Sequence, residues 1–146
     1  NMLFLWVFGD NVEDALGHLR FLIFYLLCGA FAGLAHAAMM PGSAVPLIGA
    51  SGAVAGVIAA YIMLYPRVLV WVIALKILPL RISAGFAIGV WIATQIVMLF
   101  LPQSGPAMAI AWWAHIGGLI AGALLVIVLR RRGVPLFARR RVETRA

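Results

Sequence analysis

Two side chains of this sequence are suited to acyl-transfer chemistry, and both stand in apolar surroundings. Ser51 lies between glycines in PLIGASGAVAG, residues 46–56, where an uncharged loop runs into an apolar block. His115 lies in AWWAHIGGLIAG, residues 111–122, near the start of the last apolar block. A serine beside an imidazole is the minimal activated nucleophile, because the ring takes the hydroxyl proton as the oxygen attacks a carbonyl. Each residue alone has a plainer explanation. Small residues such as those of Gly-x-Ser-Gly are common where transmembrane helices pack closely. An ionisable group in a membrane segment points to function by default, although a buried hydrogen bond to backbone would also account for it.

The elements that must position this pair follow from composition. Of 146 residues, 66% are hydrophobic and 10% charged, and the mean hydropathy is +1.13. Such a chain is an integral membrane protein rather than a soluble domain. Its apolar residues come in blocks of roughly 15 to 23, about the length a helix needs to cross a bilayer, without the period-two alternation of a membrane barrel. The blocks predict a partial helix from Asn1 to about Gly9 and spans over about 17–39, 50–65, 83–101 and 110–129. An apolar stretch between Arg67 and Arg81 is too short to span and is expected to be an interfacial linker. The opening NMLFLWVFG has neither a basic leader nor a cleavage site, so the chain is expected to start inside a helix and to be a fragment.

The charges segregate on this scheme. Asp10, Glu13, Asp14, Arg20, Arg67, Lys76, Arg81 and the terminal arginines all fall on one side, and the loops PGSAVPLIG and PQSGPAMA carry none. The basic excess marks the charged side, and with it the C-terminus, as cytoplasmic. The formal charge of +7 does not imply nucleic acid, since seven of the eleven basic residues lie in the last 17 positions. Residues 130–146 are expected to form a basic tail on anionic lipid, following a membrane domain over 1–129. Cys28, the only cysteine, sits inside an apolar block and is expected to act as filler.

On this topology Ser51 and His115 share a depth near the outer face. Gly52 and Gly56 on one helix, and Gly118 and Gly122 on the other, are spaced four apart, which clears side chains from a contact face and lets two backbones approach. With no bulky side chain at Gly49 or Gly52, the free amides at the helix start, from Ala50 and Ser51, could face a developing oxyanion. Asn1 could add a side-chain amide if the first helix lies alongside. The only carboxylates, Asp10, Glu13, Asp14 and Glu143, are assigned to the opposite side. A dyad is therefore expected, its imidazole held by packing and a neutral neighbour. His36, near the outer end of the second block, is the rival histidine and reads as a loop-end residue; His18 lies on the cytoplasmic side.

These residues resemble the rhomboid intramembrane serine proteases. The likeness is carried by GASG at 49–52, AHIGGLIAG at 114–122 and the opening NMLFLWVFGDNVEDALG, and it runs over all but the arginine tail. It implies Ser51 as nucleophile, His115 as general base, Asn1 as the asparagine of the family's His-x-x-x-Asn oxyanion motif beside the Ser51 amide, and Glu13 as a structural glutamate. The implied fold is an all-α polytopic membrane protein, a six-helix bundle of which the end of helix 2 through helix 6 is present. The implied activity is cleavage of transmembrane protein substrates without metal or organic cofactor, in the cytoplasmic membrane of a bacterium. The family's first helix and loop would precede residue 1, so the fragment alone is expected to be inactive or unstable. Where many relatives carry an aromatic residue one turn after the serine, this sequence has Ala55, so another group must hold the imidazole. Two rivals are a rhomboid-like protein that binds membrane clients without cutting them, which predicts loss of the serine or histidine, and a transporter subunit, which would more naturally show internal repeats and midplane charges. Both residues are present, and neither repeats nor such charges appear.

Overall fold

The computed structural model of the protein describes residues 1–42, 47–74, 78–101 and 111–138. Ser43, Lys76, Gln103, Ser104, the remainder of PQSGPAMA, Glu143 and the arginines from 139 onward lie outside the described residues. Five helices dominate: α1 (Met2–Leu16), α2 (His18–Met39), α3 (Ser51–Leu64), α4 (Ala84–Phe100) and α5 (Trp112–Leu129). Helices are what the composition demands, because a backbone in lipid must satisfy its own polar groups. α2 and α5 are long and apolar enough to cross a membrane; α3 and α4 are shorter apolar helices.

The helical bundle expected from the sequence gains one element. The stretch read as an interfacial linker forms an antiparallel hairpin, β1 (Leu69–Ala74) with β2 (Leu78–Ser83), Leu69 opposite Ser83. Valine, isoleucine and tryptophan suit extended backbone, and pairing satisfies half of its polar groups. Its open edges exclude it from the hydrocarbon, so it does not span. A second correction concerns the acidic residues. Asp10, Glu13 and Asp14 belong to α1 itself, which continues to Leu16, and the turn is the single residue Gly17.

Gly17 has φ +91° and ψ 151°, a region open essentially to glycine alone. Its N–H donates to Glu13 O at 2.6 Å, and Phe21 N–H donates to Gly17 O at 2.8 Å. The Arg131 guanidinium lies against it, 2.9 Å from where a Cβ would be. Gly17→Ala is therefore expected to cost about 1–3 kcal/mol, read as earlier unfolding in detergent titrations; an unchanged midpoint would show that this turn is not held as described.

Core position explains the rest. α3 is the central helix, with eleven of its 14 residues buried. α2 turns the stripe Phe24, Cys28, Ala32 inward at a spacing of four and leaves most of its surface to lipid. Cys28 fills the space beside Gly56 that the missing side chain leaves, the filler role expected of it.

Backbone bonds tie one end of the bundle together. Arg131 N–H donates to Ala15 O (2.9 Å), and Phe137 and Ala138 N–H donate to Met63 O (2.6 Å) and Leu64 O (3.0 Å). Gly85 N–H reaches Pro66 O at 2.9 Å, which brings the start of α4 to the same end. The α1–α2 turn, the C-termini of α3 and α5, and the described charges around them therefore share that end. Ser51 and the start of α5 share the other.

Candidate active site

Ser51 is the first residue of α3. The residue before it, Ala50, caps the helix without a side-chain hydrogen bond, and the first bond within the helix runs from Val54 N–H to Ala50 O at 3.0 Å. The amides of Ser51, Gly52 and Ala53 precede that bond, so α3 offers donors without a partner inside the helix, and the positive end of its dipole, at the serine. Gly49, with φ +111°, makes the turn into the helix in a conformation other residues rarely adopt. A 14-residue α3 is roughly 21 Å long against a hydrocarbon core of roughly 30 Å. With its C-terminal end among the described charges, α3 falls short of the thickness of such a core.

Asn1 approaches from the start of α1. Its Nδ2 lies 3.9 Å from where a Cβ on Gly49 would stand, so α1 does lie alongside the serine loop as the oxyanion reading requires.

α3 and α5 are in backbone contact along the predicted glycine face. A Cβ on Gly118 would meet Gly52 O, and one on Gly122 would meet Gly56 O. From the other side, a Cβ on Gly52 would stand 3.2 Å from Ala114 O, and one on Gly56 3.1 Å from Gly118 O. The residue after Ser51 thus touches the residue before His115. Among the described residues no hydrogen bond joins the two side chains themselves; catalytic hydrogen bonds commonly tighten only when substrate is bound.

The group that holds His115 comes from α4. His115 Nδ1 is 2.7 Å from Gln95 Oε1, and Gln95 is the single buried polar side chain among the described residues. Two aromatic rings flank the imidazole, Trp91 at 6.2 Å between centroids and Trp112 at 5.9 Å edge-on. Trp91 also packs against the small cluster of Ala55, Ala59 and Leu119. A ring from the neighbouring helix thus packs on the cluster to which Ala55 belongs.

Sequence reasoning missed Gln95 and Trp91. The available signal was a lone amide four residues after a tryptophan in an otherwise apolar span. His36, the rival histidine, lies in the last turn of α2 rather than in a loop, its Nδ1 enclosed and without a partner among the described residues. Glu13 pairs with His18 at 2.6 Å beside the Gly17 turn, on the exposed surface, where such a pair is worth little.

A cavity of about 50 Å³ opens at Ser51, walled by Gly29, Ala32, Gly33, Gly49 and Ala53. It has room for water or a small side chain. Ser51 thus carries a hydroxyl, oriented amides and a small recess, with an anchored imidazole on the abutting helix.

Comparison with curated proteins and with solved structures gave no match. The model of one family, described as the rhomboid domain, matches residues 1–132, and on that match this chain belongs to the rhomboid family.

Proposed function

We propose that the protein is an intramembrane serine endopeptidase that cuts transmembrane segments of other membrane proteins with a Ser51–His115 dyad. Rhomboid-family proteins are generally proteases of this type. The observation that carries the reading is the seating of Ser51 at the free N-terminus of α3, against a helix that presents an anchored His115.

Ser51 Oγ attacks the substrate carbonyl carbon while His115 Nε2 takes its proton. The oxyanion is met by the Ser51 amide, with the Asn1 side chain beside it. Collapse expels the peptide nitrogen, which takes the proton back from Nε2, and water hydrolyses the Ser51 ester by the same steps. Neither metal nor organic cofactor enters this cycle.

The recess beside Ser51 suits substrates with small residues at the cut and helices that unwind easily. Lateral entry is expected near α4 and its preceding hairpin. α4 buries only Ala84, Ile88 and Gln95 of its 17 residues. The complete bundle would have six helices, with the active site facing outward and the C-terminus in the cytoplasm of a bacterium. Residues 130–146 would form the basic tail, its first part docked on α3 and its arginines on anionic lipid.

A fluorophosphonate probe applied to the full-length protein in detergent is expected to form one adduct, mapped by mass spectrometry to Ser51. Folded protein that takes no label would favour a rhomboid that binds membrane clients without cutting them.

A further inference from the structure

We propose that Gln95 is the positioning residue of the dyad, fixing the His115 proton on Nδ1 and leaving the Nε2 lone pair for Ser51. The inference rests on the dyad reading for its catalytic meaning, but the hydrogen-bond network stands by itself.

A primary amide has one accepting end and one donating end, and its surroundings decide which faces which group. Gln95 Nε2 lies 3.1 Å from the backbone oxygen of Trp91 and 3.2 Å from Thr94 Oγ1. The Trp91 oxygen can only accept. It also receives the Thr94 hydroxyl proton at 2.6 Å, so Thr94 Oγ1 has spent its proton and is left to accept. Both neighbours therefore call for a donor, and the NH₂ end faces them. Reversing the amide would set Oε1 against Trp91 O, two acceptors facing each other in a buried site, which is costly.

Oε1 is thus directed at His115 Nδ1, 2.7 Å away. An amide oxygen has no proton to give, so Nδ1 carries one. In the neutral ring Nε2 is then the unprotonated nitrogen, the state that a general base toward serine needs. Trp91 and Trp112, packed near the ring, oppose its rotation out of this bond.

During attack the Ser51 proton moves to Nε2 while Nδ1–H stays bonded to Gln95 Oε1. No proton passes to Gln95, and no carboxylate offsets the imidazolium charge. Gln95 does the orienting half of what an aspartate does in a triad and little of the charge stabilisation. The other titratable histidine at this end of the bundle is His36, in the last turn of α2, whose neighbour Ala35 packs against Gly117. Asp10, Glu13, Asp14, His18, Arg20, Arg67, Arg81 and Arg130 to Arg132 belong to the far half of the bundle or beyond it. A charge placed at position 95 would act on His115 directly, across the 2.7 Å contact.

The test uses the full-length protein with ¹⁵N-labelled histidine in micelles, comparing wild type, Gln95→Leu and Gln95→Glu. Imidazole nitrogen shifts report the tautomer, and the rate of fluorophosphonate labelling against pH reports the base. Wild type is expected to show the Nδ1–H tautomer at His115. Gln95→Leu is expected to lose that preference and to label about 10²-fold more slowly. Gln95→Glu, nearly isosteric, keeps the tautomer and sets a carboxylate beside Nδ1–H. That favours the imidazolium, so the acid limb of the labelling profile should move up by about one pH unit or more. A side chain that served packing alone would leave the limb where it is.

The proposal is overturned if folded Gln95→Leu retains the wild-type tautomer, or if Gln95→Glu leaves the acid limb in place while labelling proceeds. Absence of label on wild type would instead count against the protease reading, and the tautomer comparison would still decide the role of Gln95.

Discussion

Alanine at Ser51 is expected to abolish fluorophosphonate labelling and peptide-bond cleavage, a loss of at least about 10⁴-fold. The change removes one oxygen at the first position of α3 and leaves the helix start intact, since Ala50 caps without any side-chain bond. Stability should be unchanged. His115→Ala is expected to remove activity to a similar degree for a different reason and with a different side effect. Without the imidazole, Gln95 Oε1 loses its partner in a buried site, which costs about 1–3 kcal/mol of stability. The two variants should therefore share one activity but separate in a detergent unfolding titration. The mutations act as a unit, so Ser51→Ala with His115→Ala should be no less active than either alone. Retained labelling in Ser51→Ala would move the nucleophile to another serine. Among the described residues Ser83 is the alternative, and it already serves as the N-cap of α4, accepting from Phe86 N–H at 3.2 Å.

What could be read beforehand follows from how strongly the bilayer constrains a chain. Lipid demands apolar helices of a certain length, so the four main blocks were placed to within a few residues. Small residues spaced four apart identified the face on which α3 meets α5, because only their absence of side chain permits backbone contact there. That Ser51 and His115 lie at the same end of these two helices followed as well, since position along abutting helices is a matter of counting residues. The α1–α2 turn was placed too early because charged residues near an interface fit a helix as well as a loop, and nothing in Asp10 or Glu13 says which. At Gly17 the deciding factor was a backbone angle. The hairpin was hidden because a valine-rich stretch flanked by spans looks like membrane sequence whatever its backbone does. Gln95 was missed for a more general reason. Counting along the chain sets the depth of a side chain but not the neighbour it faces, so the need for a neutral partner at His115 was legible and its identity was not.

The glycine contact carries the second large effect, because it alone sets the distance between the two working side chains. A Cβ added at Gly118 would meet the Gly52 carbonyl, and that obstacle is backbone, not a side chain that can swing aside. Gly118→Ala must push α3 from α5, and overpacking of this kind costs about 1–3 kcal/mol. The larger consequence is catalytic. Gly52 is the residue after Ser51, so the displacement falls on the serine itself, and a misplacement of about 1 Å can cost about 10²-fold in rate. Gly118→Ala is thus expected to reduce the labelling rate by about that factor or more. Gly122→Ala meets Gly56 O, five residues along α3 from the serine, and should lower stability similarly with a smaller effect on rate. Gly89→Ala is the control, since no atom lies within 4 Å of the added carbon. Wild-type labelling in Gly118→Ala would mean that α3 and α5 stand further apart than described, and the shared depth of Ser51 and His115 would then no longer imply that they meet.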